Sequence, residues 1–252
     1  MNRKMEKILR RYLGFKRMQK IYVALFRFSL VGMNYGNTGN FKESGELNVL
    51  KYIKASFKKG EPITVFDVGG NVGNYSKSLA DFFENNAIIH AFEPSKNTFE
   101  LFLENTSQVP NIISNNFGFG DVEKTLLLYT NSNGSGLASV YHRNLEHYGI
   151  SMDMQEEIKI ATIDSYCKIN NVERIHFLKL DIEGNELNAL KGAREMMKDN
   201  RIDFIQFEFG GCNIDSRTFF QDFFYLFNNK FNLYRILKDG LYKIEKYKEM
   251  YE

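Results

Sequence analysis

Lys179, Asp181, Glu183 and Glu186 fall within eight residues of one another, and Glu208 closes the next apolar run. Residues 175–181 read as a strand, so Lys179 and Asp181 share one face near its carboxyl end. Glu183 lies in the turn beyond. Glu186 falls in the first turn of a following helix, where the dipole favours an acid, and a helix-capping role is expected for it. Carboxylates placed this way can do two kinds of work. Asp181 or Glu183 can take the proton of an attacking hydroxyl as general base. Alternatively, Asp181, Glu183 and Glu208 can hold a Mg²⁺ that lowers the hydroxyl's pKa, since hard oxygen ligands suit that ion. Of the two, the metal-free route is preferred. Lys179 is read as catalytic or as the partner of a neighbouring acid.

A second constellation lies upstream. The apolar run 63–68 carries Asp67 and ends in the turn Gly69-Gly70-Asn71-Val72-Gly73, and Glu93 follows 20 residues after Gly73. That is the strand, tight turn and second strand of a nucleotide-binding α/β unit. Gly69 and Gly70 are expected to let the backbone approach a ligand, and Gly73 to let the next helix pack closely. That helix's amino terminus favours a carboxylate. The G-x-G pair of a dinucleotide turn is missing, and Asp67 beside a pyrophosphate would place like charges together. An amino-acid tail with an ammonium suits Asp67 better, and Glu93 is placed to accept from both ribose hydroxyls. These properties describe S-adenosylmethionine. Asn71, Ser76 and Pro94 complete the candidate cofactor set.

The chain here resembles the class I S-adenosylmethionine-dependent methyltransferases, and the FkbM family in particular. The resemblance rests on the turn at 67–73, the Lys-x-Asp-x-Glu-Gly-x-Glu block at 179–186, Leu190 to Ala193, Phe207-Glu208, and Ala161 to Ser165. It covers roughly 63–210; one departure is Gly70, where the family usually has Ala. It implies an α/β, Rossmann-like fold with a seven-stranded, mostly parallel sheet and helices on both faces. It also implies O-methylation of a sugar hydroxyl, in a sugar nucleotide or glycan acceptor for surface polysaccharide or glycolipid, or of a secondary-metabolite hydroxyl.

The elements that must position these residues follow from periodicity. Strands are predicted at 63–68, 87–92, 112–116, 124–129, 158–163, 175–181, 203–209, 233–237 and 241–244. Helices are predicted at 74–83, 96–104, 185–198 and 217–227. Continuous apolar strands alternating with helices imply a parallel sheet covered on both faces. Lys238, Asp239 and Gly240 suit a hairpin, so the sheet is expected to end in an antiparallel strand. The interval near 130–157 breaks the alternation and reads as a substrate-side insertion or lid. In it, Ser135, Ser139, Tyr141, His142 and Arg143 are candidate substrate contacts. His90 and His176 lie inside strand patterns and are expected to be packed.

The division expected is a basic helical extension with a loop at 1–45 and a catalytic domain at 46–252. Nine Lys/Arg against Glu6 give residues 1–30 a charge of +8, while the chain as a whole carries only +2. The segment is read as packing on the domain or a partner subunit, or as a membrane-surface helix. Contact with nucleic acid is not favoured, because the position after residue 180 is too acidic for a phosphate backbone. A nucleic-acid methyltransferase and a non-catalytic cofactor-binding interaction protein are the alternatives. No run reaches the ~18–20 apolar residues of a membrane span, and a cytoplasmic location is expected, with peripheral contact at the membrane's inner face as a variant. Cys167 and Cys212 are expected to be buried free thiols.

Overall fold

The computed structural model describes residues 7, 8, 10, 12–36, 43–227 and 230–252. The start of the expected N-terminal helix (2–6, with Leu9 and Arg11) and loop positions 37–42 lie outside the described residues. The chain forms two compact units: residues 1–51 with 234–244, and residues 52–233 with 245–252.

The larger unit is built on β1 (Ile63–Val68), β2 (Ala87–Phe92), β3 (Ile112–Asn115), β7 (Ile175–Leu180) and β8 (Ile202–Phe207). Their order is β3-β2-β1-β7-β8, and every pairing is parallel. The chain therefore walks outward from β1 on one side and later returns on the other, leaving a topological switch point between β1 and β7. Val65, Phe66, Phe177 and Leu178 are all inaccessible, as strands covered on both faces must be. The expectation of a mostly parallel sheet with helices around it holds. The strand count is five rather than seven.

The two strands expected beyond β8 form a sheet of their own, β9 (Leu233–Leu237) with β10 (Gly240–Ile244). All but Leu233 belong to the smaller unit. In that unit Asn34 Nδ2 donates to the carbonyls of Ser44 and Ile236, both at 3.0 Å. A Cβ on Gly45 would come within 2.2 Å of the Leu237 carbonyl oxygen. These contacts bind the hairpin to residues near the amino terminus. Sequence pattern alone could not separate that arrangement from a sheet edge.

In the larger unit α3 (Asn74–Phe83) follows β1 and α4 (Lys96–Thr106) follows β2. Ser95 caps α4, its side chain accepting from Thr98 N. The opposite face carries α5 (Ile163–Ile169), α6 (Glu186–Lys191), α7 (Arg194–Lys198) and α9 (Phe220–Phe227), with α8 (Cys212–Ser216) before the last. Smaller elements of the other unit are α1 (Gln19–Gly32) and most of α2 (Glu46–Ser56). The predicted single helix 185–198 breaks at Gly192. A Cβ there would lie 2.1 Å from the Gly120 carbonyl oxygen. Asp164 then caps α7, accepting from Glu195 N at 2.9 Å and Met196 N at 3.0 Å. Two of the motif stretches that carried the resemblance thus meet in a structural joint.

The core beneath the site is aromatic. Phe66, Phe92, Phe119 and Tyr166 stack edge to face or tilted, with Phe92 and Phe119 centroids 4.4 Å apart. His90 belongs to this cluster and hydrogen-bonds Tyr166 Oη at 2.7 Å, while burial depresses its pKa to about 4. His176 accepts from Thr64 N at 2.8 Å and packs against Phe57. Both histidines are packed, as expected, and both cysteines are buried and free.

The interval after β3 forms a second, three-stranded sheet: β4 (Gly118–Phe119), β6 (Met154–Ala161) and β5 (Lys124–Thr130). β5 and β6 run antiparallel, so the stretch between them leaves from and returns to neighbouring positions. The expected strand at 158–163 begins earlier and stops at Ala161, because Thr162 caps α5.

Candidate active site

A cavity of about 150 Å³ opens at the carboxyl ends of β1, β2 and β7. This is where open α/β sheets bind ligands. Seven of the sequence-predicted residues line it: Gly69, Asn71, Glu93, Pro94, Ser135, Asp181 and Glu183.

Its cofactor half begins with the turn after β1. The N–H groups of Gly69 and Gly70 both donate to the Phe92 carbonyl, and Gly73 N donates to Gly70 O. Asn71 takes φ 46°, a conformation Asn tolerates. Its amide donates to Glu93 Oε2 at 2.9 Å, and Ser95 N donates to Glu93 Oε1 at 2.9 Å. Glu93 is buried, and that desolvation raises its pKa to about 7 against the pull of those two amides. Each carboxylate oxygen keeps capacity for a further donor. A buried acid with spare acceptor sites facing a cavity suits a vicinal diol, so the residues present fit the ribose of an adenosine cofactor.

Three expectations about this half change in detail. A Cβ on Gly69 would lie 1.9 Å from the Asp181 carbonyl oxygen, and one on Gly70 would lie 2.9 Å from the Phe102 ring. These glycines clear neighbouring protein atoms, and Gly69 also lines the cavity. Gly73, at φ 87°, is pressed by Thr106 and Phe102 of α4, not by its own strand. Asp67 is wholly buried; Ser76 Oγ donates to its Oδ2 at 2.5 Å, and Lys179 Nζ lies 3.8 Å from Oδ1. Asp67 and Ser76 therefore sit beneath the turn, outside the cavity lining.

The acceptor half is built on β7 and β8. Asp181 N bonds Val68 O, and Glu208 N bonds Leu180 O, so each acid extends the ladder by one residue past its strand. Lys179 Nζ bonds Asp181 Oδ2 at 3.0 Å and lies 4.3 Å from the Tyr75 ring centroid. Its ammonium is buried among those partners. Desolvation works to raise the Asp181 carboxyl. The charge and hydrogen bond of Lys179, with a hydrogen bond from Glu208, outweigh it and hold Asp181 below the usual range. Glu208 is pushed up to about 8 by desolvation and by the charges of Asp181 and Glu183. The two acids titrate as a coupled pair, Asp181 shifted down and Glu208 up.

Glu183 takes φ 50° in the turn after β7 and forms an ion pair with Arg143. Desolvation raises it to about 7 although Arg143 opposes the shift. Arg143 is buried, with Asp215 Oδ2 3.6 Å from its Nε. Ser139 Oγ donates to the Glu183 carbonyl at 2.7 Å. Asn71 Nδ2 donates to Ser135 O at 2.9 Å. The insertion therefore ties down both halves of the site. Tyr141 stands beside Asn185 and Asn188, its hydroxyl accepting from Asn188 Nδ2 at 3.1 Å. His142 is exposed and packs edge-on against Tyr129, outside the cavity lining.

Glu186 is inaccessible and accepts from Ile182 N and Gly184 N. It closes the turn that carries Glu183 rather than capping α6 as expected, and that helix has no side-chain cap. The carboxylate trio suggested for Mg²⁺ is not the one that comes together. Ligand atoms of Glu183, Glu208 and Cys212 lie within 4.8 Å of one another. The Cys212 thiol is soft and burial pushes its pKa up, a poor match for a hard cation. Arg143 already supplies positive charge to Glu183. The donor set does not fit Mg²⁺, and no step is assigned to a metal.

Residues that sequence reasoning missed are Asn185, Asp215 and Tyr75. Asn185 is buried, lines the cavity and donates to Phe119 O. Its position directly before Glu186 was the one available signal. Asp215 and Tyr75 carried none, because their partners Arg143 and Lys179 lie far off in sequence.

Hexuronic acid methyltransferase AglP of Haloferax volcanii is 24% identical over 66% of this chain and 64% of its own. Methyltransferase 1 of Beauveria bassiana is 25% identical over 51% of this chain and 57% of its own. In both, the match spans less than two thirds of the relative's length. A crystal structure of Methyltransferase FkbM from Methylobacillus flagellatus aligns over 76% of this chain and 45% of its own, at 16% identity and a TM-score of 0.46. The model of the methyltransferase FkbM domain matches residues 67–235, well over half the chain, and the protein belongs to that family.

Proposed function

We propose that the protein is an S-adenosylmethionine-dependent O-methyltransferase acting on a sugar hydroxyl, in a sugar nucleotide or glycan acceptor. The observation that carries this reading is the pairing across one cavity of Glu93, a buried diol acceptor, with Asp181, an acid held ionised by Lys179. The cofactor supplies an electrophilic methyl group. Glu93 would accept from its ribose hydroxyls, and the turn at 69–73 would hold its methionine end. Asp181 accepts the proton of the acceptor hydroxyl, and Lys179 fixes the carboxylate's direction. Glu208 hydrogen-bonds Asp181 from the neighbouring strand. A positioned base of this kind contributes about 10²–10⁴-fold, and orientation supplies further rate.

The insertion closes the site from above. Gly134 N donates to Thr98 Oγ1 and Ser135 O accepts from Asn71, so residues 134–135 straddle α4 and the turn. We assign it the exclusion of water from the reacting centre. The sugar class follows the hexuronic acid named for the Haloferax relative.

Calorimetry of the full chain with S-adenosylmethionine tests the cofactor half; saturable binding is expected, and none would remove the reading. Mass spectrometry of glycans from cells with and without the gene tests the acceptor half. The expected difference is a single methylene on one sugar.

A further inference from the structure

α1 is the apolar element of this chain that the catalytic reading leaves without a task. No residue of the helix is buried. Ile21, Leu25 and Phe28 are 51%, 55% and 77% exposed. Spaced at i, i+4 and i+7, they form one stripe along the helix. Lys20 and Arg27, also seven apart, form a second stripe turned roughly 120° from the first, with exposed Val23 and Val31 beside it. The preceding turn adds Lys16 and Arg17, both exposed, and exposed Tyr12 and Phe15 continue the apolar surface.

We propose that α1 lies in the plane of a membrane surface bearing anionic phospholipids, with Ile21, Leu25 and Phe28 in the acyl boundary and Lys20 and Arg27 among the headgroups. The occupant is chosen by charge. Residues 1–30 carry +8. A second copy of the chain on a two-fold axis would set that charge against itself. A bilayer of anionic lipid offers the opposite sign together with an apolar interior, and basic amphipathic helices bind at that boundary. A spanning role fails on length. Fourteen residues rise about 21 Å at 1.5 Å each, short of a hydrocarbon core of about 30 Å. No helix among the described residues is long and apolar enough to cross a membrane. The inference is independent of the methyl-transfer reading: it needs neither cofactor nor acceptor.

The chain has no tryptophan, so Phe28→Trp in the full-length protein gives a single reporter on the stripe. With phosphatidylcholine vesicles containing phosphatidylglycerol, its emission should shift to the blue and the protein should co-float. Pure phosphatidylcholine should give neither. Raising salt should weaken the binding, and Lys20→Gln with Arg27→Gln should lower the partition coefficient about 30-fold. Leu25→Asp with Phe28→Asp should abolish flotation while leaving the circular dichroism unchanged, since neither residue is in a core. Three results would overturn the proposal. One is equal binding to neutral and anionic vesicles, or none. A second is a lipid-free dimer that Leu25→Asp with Phe28→Asp dissociates. The third is retention on RNA with no vesicle binding.

Discussion

The two halves of the site are assembled by different means. In the cofactor half, Glu93 meets Asn71 and Ser95, partners supplied by the adjoining strand–turn segments. Its polar atoms are committed mainly to backbone. In the acceptor half the decisive partners are side chains brought from far away: Arg143 to Glu183, Tyr75 to Lys179, Glu208 to Asp181. The first half is held mostly by the backbone of adjoining segments, with one tie to the insertion through Asn71 and Ser135. The second depends on the whole topology and on one insertion; under the proposed function, acceptor preference can change there without disturbing cofactor binding.

The largest effect expected from this division is on Asp181. Asp181→Asn should lower kcat by roughly 10³-fold while calorimetry shows cofactor affinity within a factor of about two. A matching loss of affinity would show the halves are not separable. Next comes Arg143→Met. Removing one partner of a buried pair costs about 3–5 kcal/mol, so thermal unfolding should fall by on the order of 10 °C, with KM for the acceptor raised and cofactor affinity kept. Glu93→Gln should do the converse, weakening the cofactor roughly tenfold by loss of charge-assisted hydrogen bonds and leaving acceptor KM unchanged.

Acidity gives a test of smaller size. Glu93, Glu183 and Glu186 are each raised by burial to about 7. The folded state therefore holds protons that the unfolded chain releases above its ordinary carboxylate range. Stability should then fall as pH rises from about 4.5 through about 7. Melting temperatures measured between pH 5 and 8 should decline, and Glu93→Gln should flatten part of the decline. A flat wild-type profile would contradict the burial of these acids. The smallest effect belongs to His142→Ala, which should leave both binding steps nearly unchanged, because that ring rests on Tyr129 at the surface.

The same division explains what could be read from the residues beforehand. Strands β1 and β2 and helix α3 match the predicted bounds to the residue, because continuous apolar runs flanked by Gly or Pro carry a local signal. The spacing from Gly73 to Glu93 put that acid just past β2 on the cavity wall. Arg143 is legible from sequence only as a loop residue and candidate substrate contact, because its pairing with Glu183 spans 40 positions and has no periodicity. The hairpin was legible as a hairpin, but its separation from the main sheet was not. Gly69 shows the subtler failure: its type was informative, but the atom it makes room for, the Asp181 carbonyl, belongs to a strand over 100 residues later.

Residue 183 is gripped twice by the insertion, through its carbonyl by Ser139 and through its carboxylate by Arg143. For anyone recombining related genes, the stretch 134–143 and position 183 form one heritable cassette, and splitting them between parents should yield misassembled chimeras. The exposed tip at 146–151 carries no such tie to residue 183. Length variation there is the cheapest place for a lineage, or a library, to explore new acceptors.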